Sequence, residues 1–293
     1  MMLLSVVVAA LNSEVTIGQT LSSIFSNDLS RNEFEVIVVD NGSTDRTVEV
    51  AKRYPVKLYS CLNPGQGAAR NLGVMKTSGE IVCFTDSDVI VSEDWLRKIL
   101  EFFSTHPDAE GVGGPVLAPL GGYVNSLQKM VGKLYARTHD FCASIVEAEY
   151  REKRNALYSA NCAYRKAVLL SSGGFDDSGF DAVDIDLCWR LLPRGTRLLF
   201  DPEIKVAHLG FPSCLRSVFR QQFRWGKSEA RLKMRHPDEL GLRRRILPYY
   251  SLLLSFLRVV YSRSRDLSLL HLYESCAFIC GFISGYVRAN RRR

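Results

Sequence analysis

Short apolar runs rich in β-branched residues alternate with helical patterns over the first hundred residues. The runs predict four strands, over 6–11, 34–39, 56–59 and 81–85. The segments between them predict three helices, over 14–25, 46–54 and 67–77. Continuous apolar strands joined by helices of about ten residues indicate a mainly parallel α/β sheet covered on both faces. Ligands of such sheets bind at the carboxyl ends of the strands.

The second half of the chain is less regular. Gly and Pro punctuate a predicted strand and turn over 111–119, and residues 124–154 have a long helical pattern. Short strands are predicted at 198–200 and 206–207, followed by a helix over 213–235. Beyond residue 240 the chain becomes apolar and rich in Arg. We therefore predict a globular domain over 1–240 and a basic helical tail over 241–293.

Composition and charge exclude several classes of protein. With 46% hydrophobic and 24% charged residues, the chain is not mainly disordered. No charge-free apolar run of about 20 residues occurs, which argues against an ordinary multi-span membrane protein. The net charge of +7 comes entirely from the tail, where residues 243–293 contain ten Arg and two acids. The remainder is close to neutral, so the charge favours an anionic membrane surface over nucleic acid.

The eight cysteines form no CxxC pair. Cys83 and Cys188 lie inside apolar runs, and we expect reduced, mostly buried cysteines in a cytosolic protein. The apolar start could pass for the core of a signal peptide. It lacks a basic leader and meets polar Asn12 early, which favours a first strand.

An acidic turn follows the fourth predicted strand. Asp86 and Asp88 lie one residue apart, on either side of Ser87. Two neighbouring carboxylates stay ionised at low cost only where a cation or hydrogen-bond donors compensate them. Oxygen ligands of this kind suit Mg²⁺ or Mn²⁺. The alternative is an acidic turn that caps a helix beginning near Ser92.

Seven segments in this order resemble the family 2 glycosyltransferases of GT-A fold, including lipid-associated and mycofactocin-type members. They are SVVVAALNSE (5–14), EVIVVDNGSTD (35–45), NPGQGAARN (63–71), DSD (86–88), GGFD (173–176), DIDL (184–187) and QQFRW (221–225). The resemblance covers residues 3 to 235 and leaves the tail outside. It implies a Rossmann-like sheet and a metal-dependent, inverting hexosyl transfer from a nucleotide-diphosphate sugar, UDP favoured over GDP, to a hydroxyl acceptor.

The resemblance also assigns a nucleotide pocket. Asp40 would accept hydrogen bonds from the base, Ala10 and Asn12 would line the pocket, and Glu14 would lie near the ribose or base. Arg70 would pair with carboxylates or with the diphosphate. Two alternatives stay open: Asp40 caps the next helix, and Arg70 ties its own helix to Asp40.

The same resemblance assigns the binding of the metal and of the donor sugar to the acidic turn. Asp88, with Asp86, would hold Mn²⁺ or Mg²⁺, and Asp86 and Ser87 would contact the nucleotide sugar. His208 is a candidate third metal ligand, as in some GT-A enzymes. A structural role for this lone His is the alternative.

An inverting transfer needs one carboxylate that takes the proton of the attacking hydroxyl. In the family this base is the Asp of a Glu-Asp pair, a position that Asp184 occupies here, with Val183 in place of the Glu. Asp186 is the second candidate. It could instead pair with Arg190 one helical turn later.

The QQFRW segment resembles the Gln-x-x-Arg-Trp motif of the processive and lipid-associated branches. It implies that Gln221 and Arg224 help to hold the diphosphate and that Trp225 offers a flat apolar face to a sugar ring. The alternative is an amphipathic core helix.

The tail has two apolar segments, over 246–260 and 267–287, which charged residues interrupt. A charge at the centre of a spanning helix is costly, so interfacial amphipathic helices fit better. We expect a protein that is peripheral on the cytoplasmic face of the membrane, acting on a glycan or lipid-linked acceptor. A helical cap on the catalytic domain or a homo-oligomer contact is the alternative for the tail. For the whole chain, a processive polysaccharide synthase or a non-catalytic sugar-nucleotide-binding membrane scaffold is the alternative.

Overall fold

The computed structural model describes residues 4–117, 126–128, 145–148, 156–179, 181–210, 212, 214–236 and 265–290. Strands and helices alternate along the first part of the chain. They are β1 (Leu4–Ala10), α1 (Ile17–Phe25), β2 (Phe34–Asp40), α2 (Thr47–Ala51), β3 (Lys57–Ser60), α3 (Gln66–Lys76), β4 (Ile81–Asp86), β5 (Val89–Val91) and α4 (Trp95–Thr105). The four predicted strands and three predicted helices are confirmed, each within a few residues at its ends.

The remaining elements are shorter up to the last two helices. They are β6 (Gly111–Gly113), β7 (Val116–Leu117), β8 (Val146–Glu147), β9 (Cys162–Arg165), α5 (Lys166–Ser171), α6 (Val183–Leu191), β10 (Leu198–Phe200), β11 (Val206–His208), α7 (Leu215–Arg235) and α8 (Arg265–Asn290). The helix predicted over 124–154 is wrong at residues 146–147, which pair with β10 as an edge strand. Most of that span lies outside the described residues.

The main sheet has eight strands in the order β3-β2-β1-β4-β9-β6-β10-β8. Strands β1 to β4 are parallel, whereas β9 runs antiparallel to both β4 and β6. A second sheet has the order β5-β11-β7. The predicted fold class, a mainly parallel α/β sheet with a helical C-terminal extension, is confirmed.

Alternation along β1 explains why helices cover both faces. Val6 and Val8 belong to the cluster that contains the buried faces of α1 and α4. Val7 points the other way, and a Cβ on Gly73 of α3 would lie 2.3 Å from a Val7 methyl. Successive residues of a strand point to opposite faces, so a continuous apolar strand needs a helix on each side.

The amino end of the sheet contains a buried polar network. Glu35 accepts hydrogen bonds from the Ser5 hydroxyl (2.6 Å), from the Ser78 backbone N–H (2.6 Å) and from the Lys57 ammonium (2.6 Å). Burial alone would raise the pKa of Glu35, but these donors lower it to about 2. The network joins three neighbouring strands at the end opposite the candidate site.

Helices α7 and α8 form a compact unit separate from the elements β1 to β11. Glycines bring their backbones together, since a Cβ on Gly226 would lie 1.9 Å from the Phe278 carbonyl oxygen and one on Gly281 would lie 2.0 Å from that of Phe223. Among the helices that are described, none combines the length and hydropathy needed to cross a bilayer. The predicted tail segment 246–260 and both Arg clusters of the tail lie outside the described residues. The predicted boundary at residue 240 stays a prediction.

Candidate active site

Two carboxylates and an imidazole converge at the carboxyl end of β4. Asp86 is the last residue of β4 and Asp88 follows two residues later. Antiparallel pairing of β11 with β5 sets His208 opposite Val89, next to Asp88 in the chain. As a result, Nε2 of His208 lies 3.5 Å from Oδ1 of Asp88. One ligand atom from each of Asp86, Asp88 and His208 lies within 4.8 Å of the other two.

The ionised form of the Asp88 carboxylate is costly in this environment, and a nearby cation would lower that cost. Burial raises the pKa of Asp88, the His208 imidazole opposes this shift, and the charge of Asp86 adds to it. Gly210 leaves the space beside the carboxylate, because a Cβ there would lie 2.0 Å from Oδ2 of Asp88. Two carboxylate oxygens and one imidazole nitrogen form a ligand set that suits Mn²⁺. The same set suits Mg²⁺ less well, because Mg²⁺ prefers oxygen ligands to nitrogen.

Arg70 pairs with Asp86 and not with Asp40, the partner that the sequence alternative named. Its guanidinium lies 2.8 Å from Oδ1 of Asp86 and also donates to Gln66. The guanidinium carbon lies 5.8 Å from the centroid of the Phe175 ring. Arg70 is thus a buried cation that neutralises part of the acidic turn.

The loop after β1 is tied to the loop after β2. Asn12, with a left-handed φ of 50°, accepts a hydrogen bond from the Thr44 N–H, and its own N–H donates to Ser43 Oγ. Glu14 accepts from the backbone and side chain of Arg46. The predicted pocket residues Asn12 and Glu14 therefore hold the two loops together.

Asp40 ends β2 directly opposite Ala10 of β1. Its carboxylate accepts hydrogen bonds from the backbone N–H groups of Gly42 and Ser43, which closes its own turn. Asp40 is 7% exposed and Ala10 is 2% exposed. Asp40 thus has a structural role in its own turn, and its contact with a base stays a prediction.

Ser87 connects the acidic turn to the loop after β1. Its hydroxyl lies 2.7 Å from the hydroxyl of Ser13. The backbone N–H of Ser13 donates a hydrogen bond to the Thr47 hydroxyl, which holds Ser13 in place. The sequence analysis did not single out Ser13, because a serine in a polar loop has no spacing signal of its own.

Asp184 lies in the first turn of α6, and the segment before β9 holds it. The backbone N–H and the hydroxyl of Ser159 donate to Oδ2 of Asp184, at 3.1 Å and 3.2 Å. The Ile185 N–H donates to Oδ1 at 2.9 Å. Asp184 is thus an oriented carboxylate.

Asp186 has a different environment. It is 1% exposed, and the Arg190 guanidinium donates to it at 2.9 Å. Arg190 also donates to the carbonyls of Ser172 and Gly174, so the pair fastens α6 to the loop after α5. This is the pairing that the sequence named as the alternative to a catalytic role.

Strand β9 brings Asp184 to the same sheet edge as Asp86. Cys162 of β9 lies opposite Phe84 of β4, and the Thr85 hydroxyl donates to the Ala160 carbonyl. Because β9 runs antiparallel to β4, Ser159, which precedes β9, lies near the carboxyl end of β4 where Asp86 lies. Ser159 binds Asp184, so Asp184 lies at the same end of the sheet. The sequence patterns did not identify β9, and with it they missed Ser159.

The QQFRW segment lies on α7, in the unit formed by α7 and α8. Arg224 and Trp225 are exposed, and Gln221 is half-buried. Gly226, the next residue, faces the backbone of α8. The roles of Gln221, Arg224 and Trp225 toward a diphosphate or sugar stay predictions.

Of the seven cysteines in the described part of the chain, four are buried and three are exposed. Cys83, Cys162 and Cys188 are free and buried, and burial raises the pKa of each thiol. Cys214 is exposed at the start of α7.

Comparison with known proteins gives a family match over more than half of the chain. The model of the family "Glycosyl transferase family 2" matches residues 5–180. Glycosyltransferase AglE of Haloferax volcanii is 28% identical over 247 residues, which cover 82% of this chain and 76% of that protein. The pre-mycofactocin glycosyltransferase of Mycobacterium tuberculosis is 31% identical over 211 residues, covering 70% of this chain and 43% of that protein. The chain thus spans less than half the length of the second relative.

Solved structures give the same fold at lower identity. The Pyrobaculum calidifontis mannosyltransferase PcManGT, in complex with GDP-Man and Mn²⁺, aligns with a TM-score of 0.66 at 16% identity, over 96% of this chain and 86% of that one. Staphylococcus aureus TarS 1–349, in complex with UDP-GlcNAc, aligns with a TM-score of 0.59 at 20% identity, over 100% and 93%. These likenesses confirm the predicted GT-A fold.

Proposed function

The chain belongs to glycosyl transferase family 2 and is a glycosyltransferase, and from this we infer a metal-dependent, inverting transfer from a nucleotide-diphosphate sugar to a hydroxyl acceptor. We favour a UDP-sugar over a GDP-sugar as the donor. Solved structures of this fold include one with UDP-GlcNAc and one with GDP-Man and Mn²⁺. The acceptor in this proposal is a glycan or a lipid-linked hydroxyl compound.

On the donor side, Asp86, Asp88 and His208 would hold Mn²⁺ or Mg²⁺. When bound, the ion supplies positive charge that stabilises a diphosphate leaving group. Arg70 neutralises Asp86 from the buried side. The loops joined through Asn12 and Glu14 would form the wall of the nucleotide pocket, with Ser87 next to the donor sugar.

On the acceptor side, Asp184 acts as general base. The acceptor oxygen forms a bond to the anomeric carbon while its proton moves to the Asp184 carboxylate. The bond between that carbon and the diphosphate oxygen breaks, and its electron pair leaves with the nucleotide. Attack from the face opposite the leaving group inverts the anomeric configuration.

The observation that carries this proposal is the shared sheet edge. The acidic turn of Asp86 and Asp88 and the oriented carboxylate of Asp184 are linked through the pairing of β4 with β9 and through Ser159. A metal site and a separate base at one edge of the sheet are what an inverting transfer requires. Buried Asp186 is the weaker candidate because Arg190 already pairs with it.

Nucleotide release tests the proposal directly. The full chain is incubated with UDP-GlcNAc, UDP-glucose or GDP-mannose, with Mn²⁺ or with EDTA, and free nucleotide is measured. We expect Mn²⁺-dependent release from a UDP-sugar and its loss in EDTA. Equal release in EDTA would refute metal dependence, and release from GDP-mannose alone would refute the preference for UDP.

For the tail we propose binding to the cytoplasmic face of an anionic membrane. The ten Arg over 243–293 support this, together with the exposed apolar residues Leu269, Ile283 and Tyr286 of α8. Clustered Arg and apolar side chains strengthen binding to anionic lipid. Co-sedimentation with phosphatidylserine vesicles should exceed that with phosphatidylcholine vesicles. Equal sedimentation would refute the proposal, and a dimer on size-exclusion chromatography in its place would favour self-association.

A further inference from the structure

A serine outside every motif of the sequence holds the candidate base. Ser159 is 4% exposed, and it supplies two of the three hydrogen bonds that the Asp184 carboxylate accepts from the described residues. The backbone N–H and the hydroxyl of Ser159 both donate to Oδ2 of Asp184. Oδ1 accepts the single backbone N–H of Ile185 and so retains more of its lone-pair capacity.

The segment around Ser159 is anchored on several sides. Asn161, two residues on, is fully buried and accepts a hydrogen bond from the Trp95 indole at 2.9 Å. Its amide nitrogen donates to the carbonyls of Pro115 and Ile204. Ser159 therefore belongs to a backbone segment that is fixed to α4, to the turn before β7 and to the turn before β11.

The same segment is fastened to the strand that leads to the acidic turn. The carbonyl of Ala160, next to Ser159, accepts the Thr85 hydroxyl at 3.1 Å. Thr85 is 1% exposed and immediately precedes Asp86. A shift of Ser159 would therefore disturb the spacing between the base and the metal-binding residues.

From this geometry we propose that Ser159 is a positioning residue that holds Oδ2 of Asp184 and leaves Oδ1 to take the proton of the acceptor hydroxyl. The inference rests on the proposed function, because it assumes that Asp184 is the base. Small errors in the position of a catalytic group cost large factors in rate, whereas the proposed function gives Asp184 no part in binding the nucleotide sugar. Loss of the Ser159 hydroxyl should therefore lower kcat and leave the KM for the donor unchanged.

The test uses the full chain with Mn²⁺ and UDP-GlcNAc, or whichever donor of the panel above is turned over, and follows nucleotide release with water in place of the acceptor. The variants are S159A, S159T and D184N. The control is S171A, which removes a serine hydroxyl that donates to the Val168 carbonyl on α5. We expect S159A to lower kcat roughly ten-fold, since a hydrogen bond to a charged group is lost. Its donor KM and Tm should match those of S171A, and S159T should recover most of the rate.

The outcomes separate the inference from the function on which it rests. If D184N is inactive while S159A turns over at the wild-type rate, the positioning role is refuted and the proposed base stands. If S159A raises the donor KM and lowers Tm well beyond S171A, Ser159 is a structural residue and the inference is refuted as well. Full activity of D184N would refute the base assignment itself.

Discussion

The guanidinium of Arg70 lies 2.8 Å from the carboxylate of Asp86, with 3% of the Arg70 side chain and 30% of the Asp86 side chain exposed. The cation reaches the acidic turn from within the protein, through α3, and the carboxylate keeps its other side toward solvent. Two neighbouring carboxylates repel each other, and a fixed internal cation lowers the cost of holding both ionised. Arg70 therefore lowers the electrostatic cost of the acidic turn from inside the protein.

Replacement of Arg70 by Met should destabilise the protein by about 3 kcal/mol, because removal of one partner leaves the other charge uncompensated at a partly buried site. Urea unfolding measures the effect. R97A is the matched control, since Arg97 forms exposed ion pairs with Asp28 and Glu101 and should cost about 1 kcal/mol or less. Equal losses for the two variants would contradict the role given to Arg70.

Removal of the His208 imidazole should weaken Mn²⁺ binding. Changes in the outer shell of a metal site cost about 10–100-fold in affinity, and loss of a ligand should cost at least as much. Titration of free Mn²⁺ by electron paramagnetic resonance measures binding to wild type, H208A and D88N. The control is H106A, because His106 stacks on Phe102 far along α4 from the acidic turn. If H208A bound Mn²⁺ as tightly as H106A, the imidazole would not be a ligand.

The two carboxylates of α6 should respond differently to amidation. D184N should lower the rate of nucleotide release roughly 10²- to 10⁴-fold, the usual contribution of a general base, with little change in Tm. D186N should instead lower Tm, because it breaks the buried pair with Arg190. Kinetics and thermal melts on both variants check the assignment. The reverse pattern would move the base to Asp186.

The buried network around Glu35 predicts a dependence of stability on acid. Its pKa is lowered to about 2 in the folded protein from an ordinary value of 4.5. The ionised form thus contributes stability above pH 4.5, and this contribution is lost as the pH falls from 4.5 toward 2. E35Q should cost about 2 kcal/mol at pH 7 and progressively less below pH 4.5.

Urea midpoints at pH 7, 5 and 3.5 measure the Glu35 effect against the control E49Q, since Glu49 is exposed on α2. E49Q should behave like wild type at each pH. A penalty for E35Q that stayed constant from pH 7 to pH 3.5 would exclude the linkage.

The glycines between α7 and α8 should not tolerate side chains. A Cβ on Gly226 would lie 1.9 Å from the Phe278 carbonyl oxygen, so G226V should force the helices apart and cost about 3 kcal/mol or more. The control C276A changes an exposed position of α8. Limited proteolysis and the thermal melt should report loosening in G226V alone. A stable G226V would show that the helices approach less closely.

How much of the site the sequence predicts differs from residue to residue. Asp86 and Asp88 stand out because an apolar strand ends in two carboxylates, and the family resemblance favours a metal site there over a turn that caps a helix. His208 was a candidate through resemblance, and its place beside Asp88 follows from the pairing of β11 with β5, which no local pattern encodes. One alternative from the sequence pairs Arg70 with Asp40, whereas the structure pairs it with Asp86. The orientation of helix α3 decides which strand end a long side chain reaches, and the sequence pattern does not reveal that orientation.

The sequence by itself determined the alternation of strands and helices, the acidic turn and the family, since each depends on residues close together in the chain or on a pattern shared along it. The tertiary structure decided which distant residues meet. Strand β9 is short and runs antiparallel between two parallel neighbours, and its four residues have no periodicity long enough to reveal it. Yet that strand brings Ser159 to Asp184 and sets both at the edge where β4 ends. Contacts between residues 25 or more positions apart arise from the packing of the whole sheet, and a local pattern contains no information on them.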